Sequence, residues 1–304
     1  MNLMCPLTKS YNTVLDREIE AAELITRYKQ INIDVTGYFQ NLVKIQIYRC
    51  LDSGYRFYYP FNIGGDYKFY EELQKREKYY IPWKWEHQVA SKNIKSGMRV
   101  LEIGCGKGEF IKRISQKGGI CTGLEVNRKV IINGQNKGLN ILGETIQEHS
   151  KNYSNFYDIV CLFQVMEHIS DVRPFIEAIL RVLTKGGKLI MSVPCNDSTL
   201  DFENNLLNLP PHHLGLWNQE SLLYMGNIFN LKLIDLKFEP LQDYHFKWYK
   251  RSLEKKLSTH NDNFKYKLLN LFYFKLGLEK FYYNYIKFLS KIIKGHSIIV
   301  TFIK

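Results

Sequence analysis

Long apolar runs are missing from this sequence, and no stretch approaches the roughly 18 uninterrupted apolar residues that a membrane-spanning helix needs. The opening decapeptide MNLMCPLTKS has no apolar secretory core, so a soluble protein, at most peripheral at a membrane surface, is expected. Cysteine is sparse too. Cys5, Cys50, Cys105, Cys121, Cys161 and Cys195 are six among 304 residues, without the spacing of a disulfide framework, and a reducing cytoplasm suits them best. Acidic residues fall short of basic ones, 30 against 42, which leaves a formal charge of +12. That surplus favours an anionic partner such as a phosphate-bearing substrate, a nucleic acid or an acidic membrane surface.

What is present is a rhythm. From Met98 onward apolar strand-like runs alternate with amphipathic helical ones: strands at 99–103, 120–125, 139–142, 157–163, 187–193 and 231–238, and helices at 108–117, 128–137, 171–184 and 220–229. Such alternation predicts an α/β fold whose parallel sheet is covered on both faces. Residues 1–66 mix short strands and helices, with Ile45 to Cys50 alternating like a strand, and 67–97 form a helical lid or linker. A core follows at 98–239, then a basic aromatic helical insertion at 240–294, and a last core strand in 295–304. No internal repeat is visible.

The stretch RVLEIGCGKGEF, from Arg99 to Phe110, turns from strand to helix through three glycines. Glycines there permit positive φ and a close approach of backbone to a ligand, and the helix amides that follow suit a carboxylate or phosphate. No Gly-Lys-Ser/Thr ends the turn, which excludes a Walker loop. A dinucleotide site stays open on these residues alone, because Glu125, at the end of the second strand, stands where a ribose-binding acid belongs for either kind of nucleoside cofactor.

The order LEIGCGKG, GLEVN, FYDIVCLFQVMEHISD and RVLTKGGKLIMSVP resembles the class I S-adenosylmethionine-dependent methyltransferases. The resemblance runs from about Glu86 to Phe238 and resumes in the last strand. It implies a Rossmann-like seven-stranded methyltransferase sheet, preceded by a small α+β module and interrupted by a helical insertion before the last strand. It further implies S-adenosylmethionine as cofactor, with Glu102, Gly104 and Gly106 cradling the methionine end, Glu125 taking the ribose hydroxyls, Ile146 and Gln147 flanking the adenine, and Gln164 contacting the methionine part. The N-terminal region resembles the zinc modules of a subset of the family, but only Cys5 and Cys50 remain where four thiolates would stand. A structural zinc site takes four ligands, so a module without its metal is expected, and no metal site is expected elsewhere.

Transfer to a hydroxyl requires a base close to the methyl. His213, in Pro210-Pro211-His212-His213, is the first choice because PPHHLGLW resembles the family's substrate-side loop, and His168, in Glu167-His168 after the fourth core strand, is the second. Pro194-Cys195 follows the wrong strand for a cytosine-attacking nucleophile, and no Asp/Asn-Pro-Pro-Tyr/Phe follows the fourth strand, as it does in enzymes that methylate nucleic-acid amines. Tyr79, Tyr80, Trp83 and Trp85 sit where small-molecule members carry a lid. The insertion holds twelve Lys/Arg against four acids, a surplus of eight, and 14 of the 43 aromatics. A lid packed on the core, a face for anionic membrane or a lipid-linked substrate, and a nucleic-acid patch remain open for it. The expected activity is O-methylation of a small-molecule or glycan-like acceptor, with a tRNA or rRNA methyltransferase or a non-catalytic cofactor-binding subunit as alternatives.

Overall fold

A computed structural model of the protein describes residues 3–75, 81–198, 200, 205–259, 284 and 286–304. Along the chain run β1 (Thr13–Glu20), α1 (Ala21–Lys29), β2 (Lys44–Cys50), β3 (Arg56–Tyr59), α2 (Tyr67–Gln74) and α3 (Trp85–Ser91). The core follows with β4 (Arg99–Ile103), α4 (Glu109–Gln116), β5 (Ile120–Leu124), α5 (Arg128–Gln135), β6 (Ile141–Leu142), α6 (Ile146–His149), β7 (Tyr157–Phe163), α7 (Val172–Val182) and β8 (Leu183–Pro194). The chain then passes through β9 (Gly215–Leu216), α8 (Gln219–Ile228), β10 (Lys232–Pro240) and α9 (Phe246–Thr259) to β11 (Lys294–Ile303).

Seven strands form one sheet in the order β10-β11-β8-β7-β4-β5-β6. β4 pairs in parallel with both β5 and β7, while β11 runs antiparallel between β8 and β10. The direction of strand succession therefore reverses at β4, and such a switch point opens a crevice beyond the strand ends. Both faces of β4 are covered, so Val100, Leu101, Ile103 and even Glu102 are buried. α4 turns Phe110, Ile111 and Ile114 inward, each side chain contributing roughly 1.5–3 kcal/mol by burial. These apolar faces fix the helix that follows the glycine turn.

A second, antiparallel sheet, β1-β2-β3-β9, is built from the N-terminal residues and one late strand. Its core gathers Tyr28, Ile45, Ile47, Tyr58 and Phe69 with Leu209, Leu214 and Leu216. The segment from Leu206 to Leu216 is thereby stitched to the N-terminal region. Tyr28 Oη donates to the carbonyls of Leu206 and Leu209, both at 3.1 Å, and Tyr58 Oη donates to that of Asn208 at 3.0 Å. Beside this sheet the turns at Cys5–Lys9 and Cys50–Gly54 face each other. The Cys50 sulfur lies 3.5 Å from Thr8 Oγ1, and its hydrogen bond to Cys5, followed by burial, pushes the Cys5 thiol up.

The helix expected from Lys68 onward ends at Gln74, and residues 76–80, with Tyr79 and Tyr80, lie outside the described residues. In the insertion α9 fulfils part of the helical expectation, while 260–283 lie outside the described residues.

Candidate functional site

A cavity of about 640 Å³ opens at the carboxyl ends of β4, β5 and β7. On one side it is lined by the glycine turn and by Glu102, Glu125 and Gln164. Gly104 has φ 69° and Gly106 φ 51°; a Cβ on Gly104 would lie 2.7 Å from Val165 Cγ2, so glycine is required there by both dihedral and space. Glu125 Oε2 accepts from the Gly106 amide at 2.9 Å and Oε1 from the amides of Val126 and Asn127, also at 2.9 Å. These bonds hold the carboxylate at the mouth of the turn, and its two oxygens have room for about one more donor. Glu102 Oε2 is buried with no hydrogen-bond partner among the described residues, and burial pushes its carboxyl well up, against the Ile111 amide.

Gln164 closes this side. It adopts φ 56°, a left-handed conformation that a non-glycine side chain seldom takes outside strained or functional positions. Its Nε2 donates to Ser192 Oγ at 3.4 Å and Ser297 Oγ at 3.3 Å.

The opposite wall is made of histidines. His168, His212 and His213 stand with ring centroids 4.5–4.9 Å apart. His168 Nδ1 faces the His212 carbonyl at 2.6 Å and Tyr70 Oη at 3.1 Å. His212 Nδ1 faces the Leu207 carbonyl at 2.7 Å, and His213 Nδ1 faces Asn208 Oδ1 at 3.0 Å. Burial pushes His168 down to about 4 and His212 to about 3, and burial with the two neighbouring imidazoles carries His213 well below its ordinary value. Burial therefore favours the neutral form of all three rings. Between them Glu167 is 1% exposed, and burial raises its carboxyl to about 8. The Leu214 amide donates to the Glu167 carbonyl at 2.7 Å, tying the two histidine segments together.

Seven of the nine site residues expected from the sequence line this cavity: Glu102, Gly104, Gly106, Glu125, Gln164, His168 and His213. Ile146 and Gln147 do not. The Thr145–Glu148 capping box sets the register of α6, which turns Ile146 into the core and leaves Gln147 exposed. Trp83 packs instead of lining the cavity: it stacks on Phe110 and carries the Arg113 guanidinium 4.5 Å over its ring. Cys195 is fully buried, and burial pushes its thiol up to about 11. Sequence reasoning missed Tyr70, Asn208 and the burial of Glu167. An aromatic-rich run around 67–80 was the signal for Tyr70; nothing local distinguishes the other two.

A reversed parallel sheet with an antiparallel penultimate strand, a glycine turn and a strand-end carboxylate defines the cleft of a Rossmann-like transferase for a nucleoside cofactor. The family model for the methyltransferase domain matches residues 75–236; the chain belongs to this family, and its cofactor is S-adenosylmethionine. The ubiquinone biosynthesis O-methyltransferase of Erwinia tasmaniensis is 28% identical over 102 residues, 32% of this chain and 42% of that protein. Its counterpart from Escherichia coli O127:H6 is 26% identical over the same length. The chain thus spans about two fifths of the length of these curated relatives. Among solved structures, a SAM-dependent methyltransferase from Archaeoglobus fulgidus superposes with a TM-score of 0.50 at 17% identity, covering 79% of this chain and 100% of that one, a likeness of fold.

Proposed function

We propose that this chain transfers a methyl group from S-adenosylmethionine to a hydroxyl of a small, polar, glycan-like acceptor. The observation that carries the reading is the wall of neutral imidazoles facing the glycine turn across one cavity. A sulfonium-borne methyl is what the cofactor supplies when bound. The residues of the turn fit it: Glu102 Oε2, with no partner among the described residues, suits the ammonium of its amino-acid tail, the glycine amides suit its carboxylate, and the remaining acceptor site of Glu125 suits a ribose hydroxyl. Gln164, held by two serine hydroxyls, borders the methionine part.

On the acceptor side the chain's work is to orient a hydroxyl and remove its proton. Glu167, His168, His212 and His213 present acceptors on one wall, with Tyr70 fixing His168, and that lining suits a substrate rich in hydroxyl groups. The relatives' printed names, O-methyltransferases of ubiquinone biosynthesis, agree with oxygen as the receiving atom.

Calorimetry with S-adenosylhomocysteine tests the donor half. Binding with a Kd on the order of 1–100 μM is expected for the native chain and none for Glu125→Ala. Binding of a nicotinamide dinucleotide in its place would overturn the reading.

A further inference from the structure

His168, His212 and His213 each offer one ring nitrogen, and these atoms lie within 4.8 Å of one another. Among the described residues no other group of three histidine, cysteine or acidic side chains is so gathered. In each ring Nδ1 faces an oxygen: the His212 carbonyl, the Leu207 carbonyl and Asn208 Oδ1. The Asn208 amide is oriented by Nδ2 donating to Asn196 Oδ1 at 3.0 Å. Carbonyl oxygens only accept, so Nδ1 carries the proton and Nε2 carries the lone pair. Metal-bound histidines are held in this way, with the second nitrogen donated to a fixed oxygen.

A carboxylate stands at the same place. Glu167 Oε1 is 4.0 Å from Nε2 of both His168 and His213. Its other oxygen is buried, with no hydrogen-bond partner among the described residues, in a residue 1% exposed that lines the cavity. Buried polar atoms are almost always satisfied, and this one belongs to the carboxyl that faces two of the three imidazoles. A cation among the three gathered ring nitrogens would also meet this carboxyl.

We propose that His168, His212 and His213 bind one divalent first-row metal ion, with zinc the best match to three neutral imidazoles, and that Glu167 stands at its rim. Three histidines leave a zinc ion an open position. Zinc–nitrogen bonds place ligand atoms about 3.3 Å apart in a tetrahedral site, so the rings draw together by about an ångström on binding. The role of the ion rests on the methyl-transfer reading; its binding does not. Beside the ion the acceptor hydroxyl becomes more acidic. Its O–H bond breaks and the proton passes to solvent. The oxygen then uses the retained electron pair to form the new O–C bond, as the methyl leaves sulfur with the S–C pair staying on sulfur. Nothing is oxidised or reduced. His213 in this scheme is a ligand and not the base.

The full chain, stripped with a chelator, is titrated with Zn²⁺ by calorimetry and with Co²⁺ by visible absorption. One site per chain is expected, with the Co²⁺ bands of four- or five-coordination. Asn208→Ala, which frees His213 Nδ1, is expected to weaken Zn²⁺ binding by roughly 10–100-fold, and His212→Ala by more. Cys5→Ser with Cys50→Ser is expected to change nothing; loss of binding there would move the ion to the thiols and overturn the assignment. S-adenosylhomocysteine binding by each variant reports that it is folded. A native chain that binds S-adenosylhomocysteine but no Zn²⁺, or a His212→Ala chain that binds Zn²⁺ as tightly as native, overturns the metal site and leaves methyl transfer standing. A native chain that binds Zn²⁺ but no S-adenosylhomocysteine supports the site and removes the methyl-transfer reading.

Discussion

Gln164 and His213 show what single residues contribute. Gln164 holds a left-handed backbone that costs on the order of 1–3 kcal/mol, and its side chain is fixed between Ser192 and Ser297. The strain sits where the donor half meets the acceptor half. His213 is 6% exposed, its tautomer set by Asn208. Whether it serves as base or as ligand, His213→Ala is expected to lower kcat by roughly 10²-fold or more, with the S-adenosylhomocysteine Kd unchanged by calorimetry. An unchanged kcat would remove His213 from the chemistry. The sequence placed this residue through a local pattern, the paired histidines after two prolines. It could not reveal that Glu167, 46 positions earlier, ends with its carboxylate 4.0 Å away, because that meeting is made by tertiary packing.

At the scale of elements, strand identity was legible wherever both faces are covered. Val100, Leu101 and Ile103 of β4 and the run Tyr157–Phe163 of β7 read as continuous apolar stretches and form strands at those places. β9 was not legible, since two residues have no period, and their pairing with β3 at Arg56 and Phe57 is decided by distant chain. The same stitching carries His212 and His213 to the site. Tyr28→Phe with Tyr58→Phe removes three hydrogen bonds to the carbonyls of Leu206, Asn208 and Leu209, at a cost of about 1–4 kcal/mol. Thermal unfolding is expected to shift downward and the acceptor KM to rise, while S-adenosylhomocysteine affinity holds, because the glycine turn lies on other strands. A loss confined to cofactor binding would contradict this division of labour.

Over the whole molecule, buried titratable groups set how stability depends on pH. In the metal-free chain burial pushes His87 down to about 3, His245 to about 4 and His296 to about 3, from an ordinary 6.5. The cavity histidines His168, His212 and His213 are lowered in the same sense. The unfolded chain takes up their protons first, so the stability they confer is present above pH 6.5 and lost as pH falls toward 3–4. Glu239 has the opposite sign: burial raises it from 4.5 to about 7, so its contribution is present below 4.5 and lost as pH rises toward 7. Burial raises Glu86, Glu102 and Glu167 likewise. Six lowered histidines outweigh four raised carboxyls between 4.5 and 6.5. Urea midpoints are therefore expected to fall from pH 6.5 to 4.5 and more steeply below 4.5, and His245→Gln is expected to flatten the acid limb; a midpoint constant across this range would refute the account. The late strand β9 also bears on synthesis. The sheet begun by the first sixty residues gains its last strand only when Gly215 and Leu216 have left the ribosome, a wait of roughly 10–30 s at 5–20 residues per second. Until then the β3 edge at Arg56 and Phe57 is open, and an unpaired edge of that kind leaves a nascent chain prone to pair with its neighbours.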